Sequence, residues 1–228
     1  MNRKISFAEG EYYHVYNRGV EKRTIFLDNS DRDRFQKLLF LCNGSKSIIY
    51  RLIQGSTLYK TEKGEALVAI GAYVLMPNHF HLLLKETHSN GITEFMRKLT
   101  TGYSMYFNKK NTRVGPLVQG TFKAEHVDND EYLKYLFAYI HLNPVKLIDP
   151  KWKESGIKDR KKAEKYLKDY RYSSYVDHLG EKREEGVILA SKEFPGYLEE
   201  ENEFEAYVKD WLAFNNAEDE ISNKGSVS

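Results

Sequence analysis

Cysteine is nearly absent. Cys42 is the single one among 228 residues, so no disulfide can form within the chain and a cytoplasmic protein is expected. The opening "MNRKISFAEGEYY" has no apolar core of signal-peptide length, and no hydrophobic run approaches a membrane span, which argues against a membrane partner. Internal repeats and low-complexity tracts are missing, and so is a Walker-type glycine loop, which leaves no reason to expect a nucleotide cofactor. A large net charge is missing too, but the formal +2 hides an asymmetry. Residues 1–148 carry 21 Lys+Arg against 14 Asp+Glu, a balance of +7, and the remaining 80 carry 14 against 19, a balance of −5. A polyanion, if one binds, is expected on the first two-thirds.

What is present reads as strands alternating with helices. "EYYHVYNRGV" mixes β-branched and aromatic residues and closes on Arg18-Gly19, which predicts a strand and a turn. "NSDRDRFQKLLFLC" opens on cap residues and spaces Phe35, Leu38, Leu39 and Cys42 as one helical face. Residues 47–64 read as strand and hairpin material. "ALVAIGAYVLM" predicts a buried strand, "PN" a turn and "HFHLLLKE" the next strand, since Pro77 cannot donate to a ladder. "GITEFMRKLTTGYSMYFNKK" repeats Ile92, Phe95, Met96, Leu99, Tyr103 and Tyr106 at helical spacing, and "PLVQGTFKAEHV" reads as a strand or hairpin. "DNDEYLKYLFAYIHLN" has cap residues in front and Pro144 behind, which gives a third helix. The fold class expected is α+β, a ferredoxin-like antiparallel sheet with helices packed on it. Three parts are expected: a catalytic domain over 1–148, a mainly helical extension over 149–216 that includes the acidic "LEEENEFEAYVKDWLAFNN", and a disordered tail over 217–228.

The chemistry concentrates in "YVLMPNHFHLLL". Side chains at i and i+2 of a strand share a face, so His79 and His81 project side by side while Phe80, Leu82 and Leu84 turn to the apolar side. Two adjacent imidazoles are half of a metal site. His-x-His alone is short and common, and two half-buried histidines with ordinary hydrogen bonds would explain it as well. The third helix offers partners. Advancing about 100° per residue, Tyr132, Tyr139 and Asn143 fall on a flank beside its apolar face of Leu133, Leu136, Phe137 and Ile140. Tyr139 and Asn143 are one turn apart.

The motifs "YHVYNRGV", "AYVLMPNHFHLLL", "YSMYFNKK…GPLVQGTFK", "YLFAYIHLNPVK" and "YRYSSY", in this order over roughly residues 11–178, resemble the REP-associated tyrosine transposases. These belong to the HUH single-strand DNA transposases with one catalytic tyrosine. The resemblance implies that His79 and His81 bind a divalent cation, Mg²⁺ or Mn²⁺, that Tyr139 is the nucleophile, and that Asn143 completes the metal site. It implies a DNA transposase and endonuclease that passes through a 5′-phosphotyrosine, acting on single-stranded DNA or on a hairpin-forming repeat. A homodimer is open, because related single-strand transposases include obligate dimers. Family members often carry Trp and Arg where this chain has Val118 and Thr121, which removes an expected phosphate or base contact.

Candidate DNA-binding residues are Arg18, Lys22, Arg23, Lys109, Lys110, Arg113 and Lys123, with Arg18 and Lys110 placed first because they flank turns. Tyr12, Tyr13, Tyr16, Tyr103 and Tyr106 are candidates to stack on bases. His14, His126 and His141 are candidate bases by residue type alone. Two other classes stay open: a metal-dependent phosphodiesterase with no covalent step, and a non-catalytic nucleic-acid-binding module descended from a transposase.

Overall fold

The computed structural model describes residues 5–47, 49, 55–198, 204 and 208. In chain order the main elements are β1 (Tyr12–Arg18), α1 (Asn29–Cys42), β2 (Val68–Met76), β3 (His79–Glu86), α2 (Gly91–Lys110), β4 (Lys123–Val127) and α3 (Asp130–Leu142). A 3-10 turn (Asn143–Leu147) follows, then α4 (Trp152–Ser155), α5 (Arg160–Asp169) and α6 (Tyr175–His178). The four strands form one sheet in the order β2-β3-β1-β4, every pair antiparallel. This is the βαββαβ arrangement of ferredoxin-like folds. Among the described residues, no helix is long and apolar enough to cross a membrane.

Local chemistry sets the helix ends. The Asp28 side chain accepts from Asp31 N at the start of α1, and Asn129 Oδ1 accepts from Tyr132 N (2.7 Å) at the start of α3; each satisfies an amide that the helix leaves unpaired. Pro144 opens the 3-10 turn, so the chain leaves α3 immediately beyond Asn143.

The sheet separates two apolar cores. On one face Phe35 and Leu39 of α1 and Leu99 and Tyr103 of α2 pack against Val15, Phe80, Leu82 and Leu84. On the other, Leu133, Leu136, Phe137 and Ile140 of α3 pack against Val74 and Leu83, joined by Leu167 of α5, Tyr175 of α6, Phe204 and Val208. Every residue of β2 is buried, which is why its sequence is an unbroken apolar run rather than an alternating one. Its outer edge is covered by the "YRYSSY" segment: Leu75 N donates to Tyr172 O (2.9 Å) and Ser174 N to Tyr73 O (3.0 Å).

Two expectations need correction. Among the described residues of 47–64 there is no strand; Gly55–Lys60 is a 3-10 turn. A strand needs a free edge to pair with, and the β2 edge is already taken by residues 172–174. In "PLVQGTFKAEHV" only Lys123–Val127 is strand, preceded by a single bridge between Gly19 and Val118. Of the acidic segment near the C-terminus, Phe204 and Val208 are helical and buried; its remainder and the tail lie outside the described residues.

Candidate active site

The face of the sheet under α3 is where polar chemistry gathers. On β3, His79 and His81 point to this face, while Phe80 and Leu82 enter the α1–α2 core. Their ring centroids are 5.0 Å apart at 89°. The same alternation on β1 puts His14 and Tyr16 on this face, and β4 adds Glu125 opposite His14. In the register, Tyr16 is opposite His81.

Tyr139 descends from α3 onto this group. Its ring meets His81 edge-on at 5.5 Å and His14 at 6.2 Å. Burial raises its phenol above the usual tyrosine range, and a hydrogen bond from the Asn143 side chain works against that rise. Asn143, 4% exposed, also donates its amide nitrogen to the Tyr139 carbonyl (2.9 Å). The nucleophile candidate and the amide candidate are therefore held to each other as well as being one turn apart. Lys153 of α4, itself exposed, stands with Nζ 4.0 Å from the Tyr139 ring centroid, within cation–π range.

Both histidines are kept neutral. His79 is pushed down to about 4 by burial, with Arg18, Lys146 and Lys153 adding repulsion, and burial likewise lowers His81, helped by His14 and His79. A neutral imidazole is the form that binds a cation. His79 Nδ1 lies 2.6 Å from Asn78 Oδ1. Because that oxygen only accepts, Nδ1 carries the proton and Nε2 the lone pair. Among the described residues, no group of three or more His, Cys, Asp and Glu could hold a metal ion. A cation here would need a third ligand of another type, and the Asn143 oxygen is the donor of that kind beside Tyr139. Two imidazole nitrogens and an amide oxygen suit Mg²⁺ or Mn²⁺ only with further ligands from water or phosphate.

A cleft of about 810 Å³ opens beside the tyrosine, walled by His14, Tyr16, His81, Glu125, Tyr132 and Tyr139 among others. His79 and Asn143 are not among its walls, so the cleft flanks Tyr139 on the β4 side.

The basic candidates divide by location. Arg18 ends β1 exposed, close enough for its charge to act on His79. The following loop is tight: a Cβ on Gly19 would fall 2.3 Å from the Arg23 carbonyl oxygen. That tightness brings Lys22 beside the β2–β3 turn, where its carbonyl accepts from Asn78 Nδ2 (3.0 Å). Arg23 is partly spent on Glu21 (3.2 Å) and on the Val20 carbonyl. Lys123 of β4 is exposed, its Nζ 6.0 Å from the Tyr16 ring centroid. Lys109, Lys110 and Arg113 sit at the far end of α2, across the sheet from Tyr139. Arg113 bonds Asn108 Oδ1 (2.9 Å), and Lys110 bonds Asp28 (2.8 Å) and the fully buried Asp31 (2.7 Å). The structure therefore does not bring Lys110 to the site. Lys110→Met should destabilise the protein by about 1–2 kcal/mol, less than a fully buried pair because the ammonium is partly solvated, and leave DNA affinity unchanged. Urea denaturation and a filter-binding titration check the two halves.

Among the aromatic candidates, Tyr13 and Tyr103 are each 2% exposed and belong to the α1–α2 core, so they are not stacking platforms. Tyr16 is half-buried at the site, donating to Glu125 Oε1 (2.7 Å). His141 is fully buried and bonded to Ser174 Oγ (2.8 Å), and His126 pairs with Glu11 (2.8 Å). Sequence reasoning passed over Glu125 and Lys153. Glu125 had no signal before the β1–β4 register was known, and Lys153 lies beyond residue 148.

No match is found among curated proteins. The structure titled "Structure of the REP associates tyrosine transposase bound to a REP hairpin" is similar to this chain at 12% identity and a TM-score of 0.49, covering 79% of this chain and 86% of its own. The family model described as "Transposase IS200 like" matches residues 10–143, a span that runs from β1 through Tyr139 to Asn143 and takes in both histidines. The chain belongs to the IS200-like transposases.

Proposed function

We propose that this transposase cuts and rejoins single-stranded DNA by transesterification at Tyr139, with a divalent cation held by His79, His81 and Asn143. The observation that carries the reading is the convergence of side chains from β3, α3 and the turn behind α3: the Tyr139 ring against His81 (5.5 Å), His79 beside His81 (5.0 Å), and Asn143 bonded to the Tyr139 carbonyl. When bound, the cation polarises the scissile phosphate and neutralises charge developing on it.

Tyr139 Oη attacks phosphorus, and the bond to the 3′-oxygen breaks. The result is a 5′-phosphotyrosyl enzyme and a free 3′-hydroxyl. The phenol loses its proton as the bond forms and the departing oxygen gains one, so the step balances. Attack by a second 3′-hydroxyl reverses the process and reseals the strand. Because the phosphodiester energy is kept in the phosphotyrosine, no nucleotide is consumed.

Burial makes the phenol harder to ionise, so the chain must favour the phenolate by other means. The Asn143 hydrogen bond and the Lys146 charge act in that direction, and the Lys153 ammonium over the ring adds to them. Arg18 and Lys123, exposed on the Tyr139 side of the sheet, and Lys22 beside the β2–β3 turn are suited to follow the DNA backbone. The hairpin-forming repeat as substrate is taken from the sequence resemblance.

The test uses oligonucleotides covering hairpin repeats that flank the gene, labelled at either end and incubated with protein and Mn²⁺ or Mg²⁺. A band of protein joined to the fragment 3′ of the cut, dependent on metal, is expected. Cleavage with no such band would favour a phosphodiesterase, and binding with no product a recognition module.

A further inference from the structure

Resting on that reading, the contacts behind His81 deepen it. His81 Nδ1 lies 2.8 Å from His14 Nε2, and both residues are 6% exposed, so one of the two nitrogens must carry the proton that joins them. Two arrangements satisfy that bond. In one, His14 donates, and the His81 proton then sits on Nε2, blocking the nitrogen that faces away from His14. In the other, His81 donates from Nδ1 and its Nε2 keeps the lone pair.

Glu125 decides between them. Its Oε2 stands 3.6 Å from His14 Nδ1, too long for a strong hydrogen bond but close enough for a carboxylate to favour N–H over a lone pair there. Tyr16 OH donates to Glu125 Oε1 (2.7 Å) and Tyr132 OH to Oε2 (3.1 Å), so the carboxylate is held as an anion. The neighbouring His14 ring and the hydrogen bonds from Tyr16 and Tyr132 hold its pKa down to about 2 against burial. In a neutral His14 with its proton on Nδ1, Nε2 can only accept. His81 must then donate.

We propose that Glu125 and His14 are positioning residues that lock His81 in the Nδ1–H tautomer and aim its Nε2 lone pair at the cation. Asn78 does the same for His79 through its 2.6 Å contact to Nδ1. Both residues would thereby present the same nitrogen to a cation, each fixed by a neighbour outside its ligand set. The orienters come from three places: the β2–β3 turn, β1 and β4. Such outer contacts typically change metal affinity by about 10–100-fold.

The experiment uses the full chain without DNA. Calorimetric titration with Mn²⁺ measures affinity, and long-range ¹H–¹⁵N NMR of the histidine rings reads the tautomer in the metal-free protein. The variants are His14→Phe, which keeps a ring in the sheet but has no acceptor, and His14→Gln, whose amide oxygen can accept near the Nε2 position. Wild type should show His81 protonated on Nδ1. His14→Phe should lose that single tautomer and weaken Mn²⁺ binding about 10–100-fold, and His14→Gln should recover most of both. A merely structural role for His14 would not be rescued by an acceptor. The proposal is overturned if His81 carries its proton on Nε2 in the wild type, or if His14→Phe binds Mn²⁺ as tightly as wild type does. The two levels separate cleanly. Uptake that requires His79 and His81 but ignores His14 overturns only this inference. A wild type that takes up no Mn²⁺ overturns the metal reading and this inference with it.

Discussion

Tyr139→Phe should abolish the covalent protein–DNA band and reduce strand cleavage on the order of 10⁴-fold or more, while DNA binding and the melting temperature stay close to wild type. The size follows from what is lost. A phenyl ring has no atom that can bond phosphorus, and removing a nucleophile typically removes nearly all the rate that its site supplies. The fold should tolerate the change, because the contacts that seat the ring are to its edge and face: His81 at 5.5 Å, His14 at 6.2 Å, Tyr135 stacked at 6.0 Å and Lys153 at 4.0 Å. All of them survive the loss of one oxygen. The hydroxyl's own hydrogen bond involves Asn143, worth about 1 kcal/mol. Single-turnover cleavage with a radiolabelled strand, beside a binding isotherm, measures both sides. Residual cutting within tenfold of wild type would mean that water or another side chain is the nucleophile.

The second large effect belongs to the histidines. His81→Ala should remove Mn²⁺-dependent cleavage by about 10³-fold, since cation chemistry at a phosphate supplies several kcal/mol and 1.36 kcal/mol is a factor of ten. It should also lower stability, unlike Tyr139→Phe. His81 is buried, and its loss leaves His14 Nε2 without the partner now 2.8 Å away, a cost of about 1–3 kcal/mol. His79→Ala separates the two consequences. His79 is only partly buried at the start of β3, and its partner Asn78 faces solvent enough to find water. The expected result is a similar loss of cleavage with little loss of stability. Cleavage in both variants, and in wild type treated with a chelator, is compared with melting curves recorded by circular dichroism. Equal cleavage with and without metal would remove the histidines from the chemistry.

Much of this arrangement was legible because it depends on spacing along the chain. The period-2 alternation that separates His79 and His81 from Phe80 and Leu82, and the 3.6-residue period that puts Asn143 one turn beyond Tyr139, are properties of a strand and a helix wherever they pack. The cap residues before α1 and α3 and Pro144 behind α3 mark their own boundaries for the same local reason. The sequence also misled in places. The region 47–64 has strand-like composition, but its described residues hold no strand, and residues 172–174 occupy the β2 edge. Tyr103 has the look of a stacking residue and lies in the core, its hydroxyl donating to the Ile25 carbonyl (2.5 Å).

By itself, then, the sequence determined which of the candidate groups share a face: two histidines in one strand, and a tyrosine and an asparagine one helical turn apart. Tertiary structure alone decided what stands behind them and which cations serve them. Glu125 meets His14 because β4 pairs with β1 in a particular register, 111 residues apart in the chain. Lys153 reaches Tyr139 because the turn at Pro144 folds α4 back. Lys110 is withdrawn because α2 lies on the other face of the sheet, bonded to Asp31. Each depends on contacts between segments distant in sequence, and spacing along a chain carries no information about distances across it.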